Sequence, residues 1–182
     1  MKGTSQENSN RATTLPWSVR MANSVMRRRA PMSAQWHYQN GVILKAIEQV
    51  WLKTGDTKYW VFIKETLNQF IDPAGNIRTY SLVEYNFDQV NLGKMLFPAY
   101  KQTGDARYKH AVALLREQLR WATPHNRWWI LAQAIYPYQM WLEGIYMAGP
   151  FYAEFAGTFN DPTAFDNVAH QQGRRSFHHG KR

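Results

Sequence analysis

The chain has 182 residues and a mass of 21.3 kDa, with 45% hydrophobic and 15% aromatic residues. That is ample apolar material for one packed domain and excludes global disorder. It contains no cysteine, which excludes disulfide frameworks, thiolate metal sites and cysteine nucleophiles. The formal charge of +9 sits at the two ends: residues 1–33 hold six Lys/Arg against Glu7 alone, residues 171–182 hold four against none, and residues 34–170 balance twelve against twelve. A neutral body with no continuing basic stripe speaks against a nucleic-acid surface, and Arg27, Arg28 and Arg29 read as a solvated helix end.

Met1 to Leu15 is polar, without the apolar stretch of a signal peptide, and no run of 18 apolar residues occurs. The expectation is a cytoplasmic chain with no membrane partner and a disordered tail over 1–15. The folded part, expected over 16–171, follows a helical period throughout. Ile43, Ile47, Val50 and Trp51 mark one amphipathic stretch, and Tyr59, Phe62, Ile63, Leu67 and Phe70 mark the next. Between them stands Thr54-Gly55-Asp56-Thr57-Lys58-Tyr59, where glycine suits the left-handed position that ends a helix and aspartate caps the one that follows.

A long return over Asp72 to Phe87 leads to a second copy of the same pattern. Leu92, Met95, Leu96 and Tyr100 precede Thr103-Gly104-Asp105-Ala106-Arg107-Tyr108, offset by 49 residues from the first joint, and Tyr108, Ala111, Leu115 and Leu119 follow it. After another long return, Ala122 to Tyr138, the helix-like run Met140 to Ala156 ends in a worn third joint, Phe159-Asn160-Asp161-Pro162. A period of about 50 residues is too long for the tetratricopeptide unit and suits helical hairpins arranged around an axis. The fold class is therefore all-α, an incomplete (α/α)6 toroid. A six-hairpin ring needs on the order of 300 residues at this period, so about half is present, with two apolar flanks open to self-association.

Short joints at one end and long returns at the other place function at the long-return mouth. Asp88 lies 17 residues before Asp105 and Glu143 lies 18 before Asp161, so both carboxylates open successive inner helices there. Two carboxylates in one cleft can divide acid and base work, while the plain alternative is that each only complements a helix dipole. Trp36, Tyr38, Tyr85, Phe87, Tyr136, Tyr138 and Trp141 fall at the same end. Such aromatics suit stacking on sugar rings and are equally ordinary core material.

These residues carry a resemblance. Pro16 to Met21 (PWSVRM), Trp36 to Ile47 (WHYQNGVILKAI), Tyr85 to Asn91 (YNFDQVN) with Gly93-Lys94, and Tyr136 to Met147 (YPYQMWLEGIYM) resemble glycoside hydrolase family 105, the unsaturated rhamnogalacturonyl hydrolases, related to the unsaturated glucuronyl hydrolases of family 88. The resemblance runs from about Pro16 to Gln171 and covers roughly the first half of a full-length member. It implies an (α/α)6 barrel that removes a 4,5-unsaturated galacturonyl unit from pectin-derived oligosaccharides by hydrating the C4=C5 vinyl ether, without metal or organic cofactor.

Carried over by position, Asp88 and Glu143 are the implied catalytic residues, and Trp141 matches the tryptophan of the family's Met-Trp-Leu-Asp-Gly motif. Trp36, Tyr38 and Tyr136 are the further candidates for sugar contact. Glu143 stands where that motif has aspartate. The extra methylene shifts the carboxyl by on the order of 1 Å, a displacement that can cost about 10²-fold in rate, so the chain is expected to be weak or inactive. Ala122 to Gln133 (ATPHNRWWILAQ) also departs from the family's Pro-Arg-Thr and Gly-Gly-Phe-Trp-His segments. Because tryptophan has only the codon TGG, a one-base shift turns Trp128 and Trp129 into glycines and recovers the family motif, which reads as a pair of compensating frameshifts. Ala132 then occupies the family's histidine position.

The tail 172–182 lacks a helical period, and His178-His179 has no converging partner for a metal. Two rival functions share the fold: a toroidal polysaccharide lyase acting on uronates, and a non-catalytic helical-repeat module that binds protein.

Overall fold

The computed structural model describes residues 15–28, 35–84, 86–121, 143–163 and 165, without the side chains of 120–121 and 143–145. The expected tails over 1–15 and 172–182 and the segment 122–133 fall outside the described residues, Leu15 apart. Among the described residues the secondary structure is helical: α1 (Trp17–Arg28), α2 (Tyr38–Thr54), α3 (Thr57–Phe70), α4 (Asp88–Gly93), α5 (Leu96–Thr103), α6 (Ala106–Trp121) and α7 (Glu143–Phe159), with a 3-10 turn at Leu82–Glu84. No helix among them is long and apolar enough to cross a membrane.

The two Thr-Gly-Asp joints are built alike. Gly55 and Gly104 take φ of 69° and 68°, and their N–H groups each bond 2.8 Å to the carbonyls of Trp51 and Tyr100. The Thr54 and Thr103 hydroxyls donate to Val50 O and Ala99 O, and accept from the N–H groups of Asp56 and Asp105. Asp56 and Asp105 then cap α3 and α6 by accepting from Lys58 N and Arg107 N. The hydrogen bonds from the Arg107 side chain hold the Asp105 carboxyl below its usual range. The worn third joint keeps the geometry with asparagine for glycine: Asn160 has φ 53°, and Asp161 accepts from Thr163 N at 3.1 Å.

The repeat extends one residue type further than the joint. The tyrosine that closes each motif reaches an asparagine on an earlier outer helix, Tyr59 Oη to Asn23 Oδ1 at 3.0 Å and Tyr108 Oη to Asn68 Oδ1 at 2.9 Å. These ties link α3 to α1 and α6 to α3, which makes α1, α3 and α6 an outer layer. The inner layer is α2, then α4 with α5, then α7, since α4 packs on both α2 and α7. This is half of an (α/α)6 toroid.

The inner helices run parallel and in register. A Cβ on Gly41 would stand 2.5 Å from Asn91 Oδ1 and 2.8 Å from the Leu92 backbone, so α2 and α4 touch with nothing between them. Asn91 Nδ2 lies 3.1 Å from Met147 Sδ, and a Cβ on Gly93 would collide with Leu115 and Phe151. The second inner helix is broken where one continuous helix would reach the joint. Pro98 has no N–H for the Lys94 carbonyl, and the chain turns at Lys94-Met95 before resuming as α5. Further along, rings of Phe97, Phe151, Phe155, Phe159 and Tyr100 hold α5 to α7. Arg116 of α6 lies over Tyr152 and reaches Asp161 at 3.7 Å.

Gly41→Ala must push α4 away from α2, because the obstacle is backbone. The expected loss is about 2 kcal/mol in urea unfolding, from overpacking a tight contact. Asp105→Ala removes a cap and is expected to cost about 1 kcal/mol. A Gly41→Ala chain as stable as the parent would contradict the close contact.

Candidate functional site

Two of the inner helices begin at Tyr38 and Asp88, and α7 is described from Glu143 onward. Their register, fixed by the contacts of Gly41 with Leu92 and of Asn91 with Met147, sets Tyr38, Asp88 and position 143 at one level, at the end opposite the Thr-Gly-Asp joints. Asp88 is half-buried, and its N–H is held by Asn86 Oδ1 at 2.9 Å. Tyr38 is half-buried beside His37, with ring centroids 4.5 Å apart. For Glu143 the backbone is described and the side chain is not. Its helical phase is nonetheless set by its neighbours: positions three and four residues on share its face. Those are Tyr146 and Met147, which meet Lys94 and Asn91 of the second inner helix and its end. Position 143 thus lies on the side of α7 that faces Asp88's helix. Tyr136 and Trp141, and with them Tyr85 and Tyr138, lie outside the described residues.

Trp36 is a different matter. It is 1% exposed, meets Phe70 edge-on at 5.7 Å, and donates its indole N–H to Gln89 O at 2.6 Å. With both faces covered it packs the floor of the mouth and offers no face to a sugar, so the expectation of a stacking platform is corrected to one of support. Phe87, at 2% exposed, is likewise core.

The structure adds residues that the sequence reading left out. Thr79 has φ 61°, a costly conformation for a β-branched residue, and its hydroxyl accepts from Trp36 N at 2.8 Å. The return that carries it is ordered by Asp72, whose carboxylate accepts from Ala74 N, Asn76 N and the Asn76 amide. Below Asp88, Gln89, Asn91 and Lys94 are all buried. The Lys94 ammonium lies 4.3 Å from the Tyr146 ring centroid. Burial, with the nearby charge of Lys45 in second place, pulls its pKa down to about 8. Buried polar side chains on the second inner helix were hidden because its apolar period is fully satisfied by Val90, Leu92 and Met95. A separate groove of about 630 Å³, lined by Tyr100, Lys101, Gly104, Glu154, Gly157 and Thr158, lies at the joint end, away from Asp88.

The profile of Glycosyl Hydrolase Family 88 matches residues 17–177. The chain belongs to this family. A solved glycoside hydrolase from family 105 of C. acetobutylicum ATCC 824 superposes on the family 88 chain with a TM-score of 0.80 at 36% identity, over 85% of this chain and 43% of that one. The family 88 chain therefore spans less than half the length of that structure.

Lys94 gives the site a pH signature. Its folded pKa lies below the unfolded value of about 10.4, so between about pH 8 and 10 the unfolded chain binds more protons and stability rises with pH. Relative to a Lys94→Met chain, the parent should gain up to about 1 kcal/mol per pH unit between pH 8 and 9.5. Paired urea titrations at the two pH values measure the gain. Equal slopes would mean that Lys94 is solvated when folded.

Proposed function

We propose that this family 88 chain acts on 4,5-unsaturated galacturonyl units at the non-reducing end of pectin-derived oligosaccharides, hydrating the C4=C5 bond, and that turnover is slow. In this scheme a carboxylic acid delivers a proton to C4, water activated by a carboxylate adds its oxygen to C5, and the resulting hemiketal opens to release the aglycone. Asp88 and Glu143 are the pair that divides these steps. Tyr38, Tyr136 and Trp141 line the sugar's path.

The observation that supports the reading is that Asp88 and position 143 stand at one level on two adjacent parallel helices. Family membership supports the same class of chemistry. The helix dipole adds a further argument, since α2, 17 residues long, begins at Tyr38 and turns its positive end to the mouth, where it complements a sugar that bears a carboxylate. Slow turnover follows from the longer arm of Glu143, because on the order of 1 Å of misplacement costs about 10²-fold where geometry is tight.

The test is ultraviolet absorbance of unsaturated galacturonyl-rhamnose incubated with the purified chain. The expected result is a slow loss of the unsaturated chromophore, abolished by Asp88→Asn. Glu143→Asp should raise the rate only slightly, since one distance is repaired while Ala132 still stands in the histidine position. An absorbance increase on intact polyuronate would identify the lyase reading instead, and loss unaffected by Asp88→Asn would remove the site.

A further inference from the structure

On the reading that the mouth receives a 4,5-unsaturated uronyl unit, we propose that Tyr146 is the aromatic wall against which that sugar lies, and that the Lys94 ammonium behind its ring selects a sugar bearing a carboxylate over the same sugar without the charge.

The aromatic residues at this end differ in what they leave open. Trp36 and Phe87 are core, whereas Tyr146 is 50% exposed. It stands one helical turn below position 143, about 4.5 Å along the axis of α7, and on the same face. Helical side chains lean toward the N-terminus, so its ring rises from there toward the mouth. The Lys94 ammonium, 4.3 Å from the ring centroid, holds the ring from the side of the second inner helix. The exposed remainder of the ring is left for a ligand.

The neighbours of Lys94 leave its charge unbalanced. On α2, Glu48 is bound by Lys45 at 2.7 Å, and on α7, Glu154 lies 3.5 Å from Lys101. The acid on each neighbouring helix is thus engaged by another lysine, and among the described residues no carboxylate pairs with Lys94 itself. Burial lowers its pKa only to about 8, so the ammonium persists at neutral pH. A buried cation whose close partner is an aromatic face keeps a positive potential, and the low dielectric around it extends the reach of that potential.

The chemistry of the sugar places its charge at the same spot. C1, which carries the aglycone, lies across the ring from C4, and C5 beside C4 carries the carboxylate. A chain entering with its non-reducing end first keeps the aglycone toward solvent and sends C4, C5 and the carboxylate inward. With C4 and C5 at the level of Asp88 and Glu143, the carboxylate comes down against Tyr146, where the charge of Lys94 balances it.

Calorimetric titration at neutral pH tests this, with unsaturated galacturonyl-rhamnose and its uncharged methyl ester as ligands and the Asp88→Asn chain as the background in which the ligand persists. The acid is expected to bind about tenfold more tightly than the ester, as one charge-assisted contact provides. Lys94→Met should abolish that preference while leaving the ester's affinity unchanged, which also shows the variant to be folded, and Lys94→Arg should keep it. Tyr146→Leu should weaken both ligands, and Tyr146→Phe should retain the ester's affinity. A preference that survives Lys94→Met, an equal loss of both ligands in that variant, or undiminished binding by Tyr146→Leu would each overturn the proposal. A chain that binds neither ligand overturns it together with the sugar reading. The expected binding pattern in a chain whose Asp88-containing parent leaves the chromophore intact would uphold the wall and remove only the hydration chemistry.

Discussion

The fold hangs on the approach of α2 and α4 at Gly41. With no Cβ there, the second inner helix comes against the first backbone to backbone, and Asn91 and Gly93 then set α7 against the second in the same register. Dispersion and exclusion of water favour many contacts between helices, and the backbone contact at Gly41 fixes the relative height of α2 and α4. The height is what matters for chemistry. It brings Tyr38, Asp88 and position 143 to one level, and a slip of a single turn between α4 and α7 would displace position 143 from Asp88 by about 5.4 Å.

The opposite end of the molecule is rigid for a different reason. Each Thr-Gly-Asp joint satisfies the free groups of two helix ends at once, through glycine's left-handed backbone, threonine's hydroxyl and aspartate's cap. The closing tyrosine carries that order to an earlier outer helix through Asn23 or Asn68. A compact, fully bonded joint end leaves the long returns at the other end to vary. Thr79 shows the consequence: a backbone held in an unfavourable region by the Trp36 N–H, at the floor of the mouth.

Much of this was legible in the sequence because glycine and aspartate have few other reasons to recur at the same offset in an apolar period. The joints, the hairpins, the worn third copy at Asn160 and the helix start at Asp88 all follow from that spacing. Other features had no one-dimensional signal. The break at Lys94-Met95 is encoded only in Pro98, four residues on, and the period runs through it undisturbed. Trp36 was read as a sugar platform because an aromatic at a mouth and an aromatic beneath it look alike in sequence, and only the bond to Gln89 O separates them. Lys94 was passed over since a lysine on a helix is ordinarily solvated, while here Tyr146 of another helix covers it.

The central proposal is that Asp88 and Glu143 form one acid–base site, and a crystal structure of the chain with bound unsaturated galacturonyl-rhamnose tests it most directly. The account predicts the C4=C5 bond of the sugar lying between the carboxyls of Asp88 and Glu143, above Trp36. A sugar seated instead in the groove of Tyr100, Lys101 and Glu154, or carboxyls of Asp88 and Glu143 on opposite faces of the inner layer, would contradict it.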